Sequence, residues 1–212
     1  MKAPEPTYKN IKLLGTKLDT QSDIAARKTK VWGPMKRHRN YFKSKRLSVA
    51  HKVRIYRTYV EPILLYNSET WALTTTMEKR LDSFHRKLLR ISLNYIYPKT
   101  ISNEKLYTLT KEVPISSKIK KRRLSLLGHI LRLHPETPVQ KALEHYLTPL
   151  PRPVGRPPLT WIALITKDLE NISQHHQINT PLTKESLAQL KHIAEDRSLW
   201  RREISGSTER NL

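Results

Sequence analysis

From Arg27 to Arg57 the chain carries twelve lysines and arginines and not one acidic residue. They are Arg27, Lys28, Lys30, Lys36, Arg37, Arg39, Lys43, Lys45, Arg46, Lys52, Arg54 and Arg57. A run this basic cannot be neutralised by ion pairs among its own residues. Whatever it folds into must build its core from the apolar residues between the cations and leave the charges to solvent or to an external anion. Trp32, Tyr41, Phe42, Tyr56 and Tyr59 are interleaved with the charges. Cations answer to backbone phosphates, and aromatic rings to unstacked bases. Tyr41 and Phe42, set among cations, are candidates for base stacking, whereas Tyr56 lies at helical spacing from apolar residues and is expected in the core.

The whole chain has 40 Lys and Arg against 18 Asp and Glu, a formal net charge of +22 over 212 residues. Most of the surplus falls in the first hundred residues and the rest in 101–158, while 159–212 are balanced. A second cluster places Lys118, Lys120, Lys121, Arg122 and Arg123 within six positions. The partner implied is nucleic acid, held through its backbone.

Apolar periodicity describes a mainly α protein with one small β element at the start. Residues 8–19 read as a strand pair turning near Gly15, with Ile11, Leu13 and Leu18 facing inward. A helix is expected over Gln21–Phe42, kinked or divided at Gly33-Pro34. Ser48 is an N-cap for 49–60, where Val49, Val53, Tyr56 and Val60 form a stripe. Pro62 ends or bends that helix, and PILLYNSETW reads as a buried connection. An amphipathic helix follows Thr74–Thr76, with Leu81, Phe84, Leu88 and Ile91 inward. Ser102 caps a short helix reaching about Thr110, and a longer one spans Ser117–Leu133. Residues 148–160 hold five prolines and read as a non-helical linker. Within it, Gly155-Arg156-Pro157 resembles the core of a minor-groove AT-hook, but Val154 stands where a second cation belongs, which favours the plain linker. Helices over Trp161–His175 and Lys184–Ile204 complete the chain.

Several chemistries are excluded. There is no cysteine, hence no disulfide framework, thiol catalysis or cysteine-bearing metal site. With five glycines there is no phosphate-cradling loop. The acids are isolated, with no pair placed to hold the two metal ions of phosphoryl transfer. Asp168 and Glu170, and Glu195 and Asp196, diverge on a helix and are expected to be solvated. His129, His134 and the pair His175-His176 lack cysteine partners, so no metal site and no cofactor are expected. No apolar run approaches a bilayer span, and MKAPEPTYKN has no signal-peptide core, so an intracellular location, nuclear or cytoplasmic, is expected.

The order of six phrases resembles one family: IKLLGTKLD, LSVAHKVRIYRTYVEPILLYNSETWALT, MEKRLDSFHRKLLR, SSKIKKRRLSLLGHILRL, GRPPLTW and EDRSLWRREI. Together they look like the C-terminal part of reverse transcriptases of LINE-type, non-long-terminal-repeat retrotransposons. The resemblance implies a primer-gripping hairpin from the palm edge over 1–20 and a basic thumb-like bundle over 21–100. It further implies a basic helical post-thumb region over 101–147, after which composition sets the linker over 148–160 and neutral helices over 161–212. The palm, with its paired metal-binding aspartates, is not in this sequence. The resemblance therefore implies a nucleic-acid-binding fragment with no catalytic residue, whose ligand is a template–primer or duplex and whose protein partner is the palm of a full element. The competing readings are a self-standing DNA-binding regulator that reads bases with 49–60, and a non-functional remnant.

Overall fold

The computed structural model describes residues 11–147, 159–176, 178 and 182–209. The fold is mainly α with one short antiparallel hairpin near its start. It divides into two compact units, Met1–Trp71 with Thr75–Ser116, and Ala72–Thr74 with Ser117–Leu212.

In the first unit, strands β1 (Lys12–Leu13) and β2 (Thr16–Lys17) pair in antiparallel register, Lys12 opposite Lys17 and Leu13 opposite Thr16. Gly15 takes the left-handed conformation that the turn requires, with φ 82°. Helix α1 (Thr20–Lys30) begins at the Asp19 cap, whose carboxylate accepts the Ser22 amide at 2.7 Å. The hairpin does not turn its apolar side inward as expected. Ile11, Leu13, Leu14 and Leu18 are exposed, and buried Thr16 docks instead. Polar bonds hold it. Arg27 Nη2 donates to the Gly15 carbonyl at 2.8 Å and to Thr16 Oγ1 at 3.0 Å, and Asp23 Oδ1 accepts the Lys17 amide at 3.1 Å.

The expected helix 21–42 is three pieces: α1, α2 (Trp32–Arg37) and α3 (Arg39–Lys43). The breaks fall at Val31 and His38, not at Gly33-Pro34. Both of those residues sit in the first turn of α2, where a missing N–H leaves no helical bond unmade. Ser48 caps α4 (Val49–Tyr59), accepting the His51 amide at 3.3 Å. Val53, Tyr56 and Val60 of the expected stripe are buried, and Val49 is half-buried. Pro62 falls in the first turn of the short helix α5 (Glu61–Leu64), and the connection beyond it buries Leu65, Ser68 and Trp71.

Helix α6 (Thr75–Ser92) buries Leu81, His85, Leu88, Leu89 and Ser92. The buried stripe is thus rotated from the expected one, and Phe84 and Ile91 lie at its margin. Helix α7 (Asn103–Thr110), capped by Ser102, packs on α4 and α6.

The second unit takes most of α8 (Ile115–Leu131), then α9 (Pro138–Leu147), which periodicity did not predict. The two expected terminal helices are each divided: α10 (Trp161–Asp168) and α11 (Glu170–His176), then α12 (Lys184–Glu195) and α13 (Arg197–Glu209). Asp196 makes the second break. Its Oδ1 accepts the Ser198 and Leu199 amides at 2.8 and 3.1 Å, and bonds from Ser198 and Leu199 hold its carboxyl below the usual range. The Pro-rich stretch 148–158, with Gly155-Arg156-Pro157, lies outside the described residues.

The core of this unit joins Leu124, Leu127, Ile165, Leu190, Trp200 and Ile204. Trp200 crosses α8 at Gly128 and its Nε1 donates to the Leu124 carbonyl at 3.1 Å. A Cβ on Gly128 would lie 2.1 Å from Trp200 Nε1. An exposed helical Gly→Ala change stabilises by about 1 kcal/mol. At Gly128 the sign should reverse, because a displaced tryptophan costs about 1–3 kcal/mol or more. Gly128→Ala is therefore expected to lower the urea midpoint. Gly33→Ala, where an added Cβ meets nothing within 4 Å, should not.

Candidate nucleic-acid interface

Eight of the cations read from the acid-free run stand exposed: Lys30, Lys36, Arg37, Arg39, Lys43, Lys45, Arg46 and Arg54. Arg57 is exposed but engaged, its Nε on Glu112 and its Nη2 donating to the Lys111 carbonyl at 2.9 Å. Lys28 is half-buried. Arg27 and Lys52 are corrections to the sequence reading, because both are buried. Arg27 lies one turn from Asp23 and pairs with it at 3.3 Å. That carboxylate also accepts Trp71 Nε1 at 3.1 Å, so the pair is a structural hub. Lys52 precedes Val53 of the α4 stripe and is buried with it.

The second cluster is divided for a geometric reason. At 100° per residue, five cations in six positions cannot share one helix face. Lys121 and Arg122 are exposed, Lys118 and Lys120 are half-buried, and Arg123 is buried. Arg123 Nε donates to Asp168 Oδ2 at 2.7 Å. This corrects two expectations, since Arg123 is not a surface cation and Asp168 is not solvated.

The first unit gathers exposed charge around an open cleft of about 590 Å³. Arg39 and Lys43, one turn apart on α3, line it together with Lys87 and Arg90, three apart on α6. Met35, Phe42, Ile91 and Ile96 contribute apolar surface, and none of the ten lining residues is acidic. Arg90 is held in place, donating to Asn103 Oδ1 at 2.6 Å and to the Ile101 carbonyl at 3.2 Å. Lys87 and Arg90 lie outside the acid-free run and so are not among the cations read from it. The signal was present in the spacing of Arg86, Lys87 and Arg90 along α6.

Phe42 is buried, so of the two stacking candidates only Tyr41 offers its ring to solvent. His38 stacks on exposed Tyr59 with ring centroids 4.4 Å apart, and Tyr41 lies 6.0 Å from His38. Three rings thus group beside Lys36, Arg37 and Arg39. On α1, Lys28 Nζ lies 5.3 Å from the centre of the Phe84 ring, and Lys87 Nζ on α6 lies 5.9 Å from that of Trp32. Burial, and then the Arg80 guanidinium, lower the Lys28 ammonium from its usual range.

No helix among the described residues is long and apolar enough to cross a membrane. No protein-family model matches the chain, and no solved structure matches it. The chain is similar to an uncharacterized transposon-derived protein of Caenorhabditis elegans, 24% identical over 153 residues that cover 70% of this chain and 52% of the relative. It spans about half the length of that relative, and the likeness supports an origin in a transposable element.

Proposed function

We propose that the chain is a nucleic-acid-binding part of a LINE-type reverse transcriptase, corresponding to its thumb and the helices beyond. It holds duplex or template–primer through phosphates, without reading sequence, and its role is binding rather than chemistry. The observation that carries this reading is the acid-free cleft with Arg39, Lys43, Lys87 and Arg90 around apolar surface, in a unit that exposes eight cations of the 27–57 run. The rings of His38, Tyr41 and Tyr59 add a surface on which an unstacked base at a strand end can rest. The exposed Ile11, Leu13, Leu14 and Leu18 of the hairpin fit a segment that meets a polymerase palm in a full element.

The test is charge reversal. Lys36→Glu, Arg37→Glu and Arg39→Glu together should weaken binding to all duplex sequences alike and reduce the salt slope by about one for each phosphate no longer neutralised. Filter binding to several unrelated duplexes measures this. Weakening confined to one sequence would mean base readout, and a site preference of roughly 10³-fold or more would establish a regulator instead. A template–primer junction should compete better than either strand alone.

A further inference from the structure

The first unit buries a group that the nucleic-acid reading does not use. Glu61 opens α5, His85 lies in the middle of α6, and Glu112 follows the left-handed residue Lys111 that ends α7. All three are buried, at 7%, 0% and 5% exposure. One ligand atom from each lies within 4.8 Å of the others. Arg57, reaching in from the surface, brings one positive charge to Glu112.

Tyr56 adds an independent observation. Its ring lies 5.7 Å from the His85 ring, it is fully buried, and its hydroxyl has no hydrogen-bond partner among the described residues. Its O–H is thus a donor beside His85, without an acceptor among the described residues.

We propose that Glu61, His85 and Glu112 bind one divalent metal ion of the zinc class, with the Tyr56 hydroxyl donating to a water in the fourth position. One imidazole and two carboxylates match the ligand preference of such an ion, whereas magnesium and calcium ask for more oxygens. Bonds of about 2.0–2.2 Å place tetrahedral ligand atoms about 3.3 Å apart, so the group closes by small side-chain rotations. The site ties α5, α6 and the segment after α7 together.

The experiment uses the untagged full chain, stripped with a chelator and titrated with Zn²⁺ by calorimetry and with Co²⁺ by visible absorption. One equivalent should bind with micromolar or tighter affinity, give the Co²⁺ bands of a four-coordinate site, and raise the melting temperature. Losing even an outer-shell partner of a metal costs about 10–100-fold in affinity, so Glu112→Gln should cost at least about 100-fold and Tyr56→Phe less. His175 and His176 lie 3.2 and 3.4 Å from Glu203 and form, among the described residues, the other group that could take a metal, on the second unit. His175→Ala/His176→Ala should leave the equivalent in place. No stoichiometric uptake by the folded wild type overturns the proposal, as does disappearance of the equivalent in the His175/His176 variant. Should Glu112→Gln fail to fold, the wild-type titration and that variant decide alone. Neither arm involves nucleic acid, so failure here is distinct from failure of the binding role.

Discussion

The affinity of this chain for duplex nucleic acid is expected to fall by roughly 10³–10⁵ between about 50 and 200 mM salt. The size follows from counterion release. Each neutralised phosphate contributes a slope of about −0.9 in log affinity against log salt, and roughly six to ten phosphates give that range. The exposed cations suffice: Lys36, Arg37, Arg39, Lys43, Lys45 and Arg46 lie within eleven residues, and Lys87 and Arg90 share the cleft with Arg39 and Lys43. Arg27 and Arg123 do not count toward the total, because each is committed to a buried carboxylate. A filter-binding series at several salt concentrations measures the slope. A flat response would end the phosphate-binding reading. A steep response that Lys87→Ala/Arg90→Ala leaves unchanged would place the bound phosphates away from the cleft.

Arg123→Ala is expected to destabilise the second unit by about 3–5 kcal/mol. The side chain is 1% exposed and its partner Asp168 is 9% exposed, so truncation leaves a carboxylate buried without the guanidinium that faces it. Total stabilities run about 5–15 kcal/mol, so the change is a large fraction of the whole. Arg122→Ala, one position away and exposed, should change stability by no more than about 0.5 kcal/mol. Replacing both partners, Arg123→Met with Asp168→Leu, should recover most of the stability, since the penalty lies in the unmatched charge. Urea melts of the three variants separate the cases. A near-neutral Arg123→Ala would show that solvent reaches Asp168 and that the pair is not a core element.

Much of the helical architecture is legible in the sequence, and the reason is local. Ser48 and Ser102 announce helix starts because a short hydroxyl side chain meets an amide three residues on, whatever the rest of the chain does. The stripe Val53, Tyr56, Val60 needs only the helical repeat to predict its burial. What failed was of another kind. Asp196 reads as one more acid on a continuous helix, yet its carboxylate starts a new one. The side of the hairpin that docks is not legible locally, because it is held by Arg27 and Asp23, polar residues on α1, and not by its own leucines.

The basic character of the chain, its helical class and the want of cysteine and glycine chemistry were settled by residue type and spacing alone, because charge and periodicity are properties of the covalent order. Which cations face outward was settled only by the fold. Arg27 and Arg123 look no different in sequence from Arg39 and Arg122, and what separates them is an aspartate brought within hydrogen-bonding reach, from one turn away in the first case and from 45 positions away in the second. The meeting of Glu61, His85 and Glu112 has the same origin. Residues far apart along the chain acquire a shared chemistry only when helices pack, and no local pattern encodes that distance.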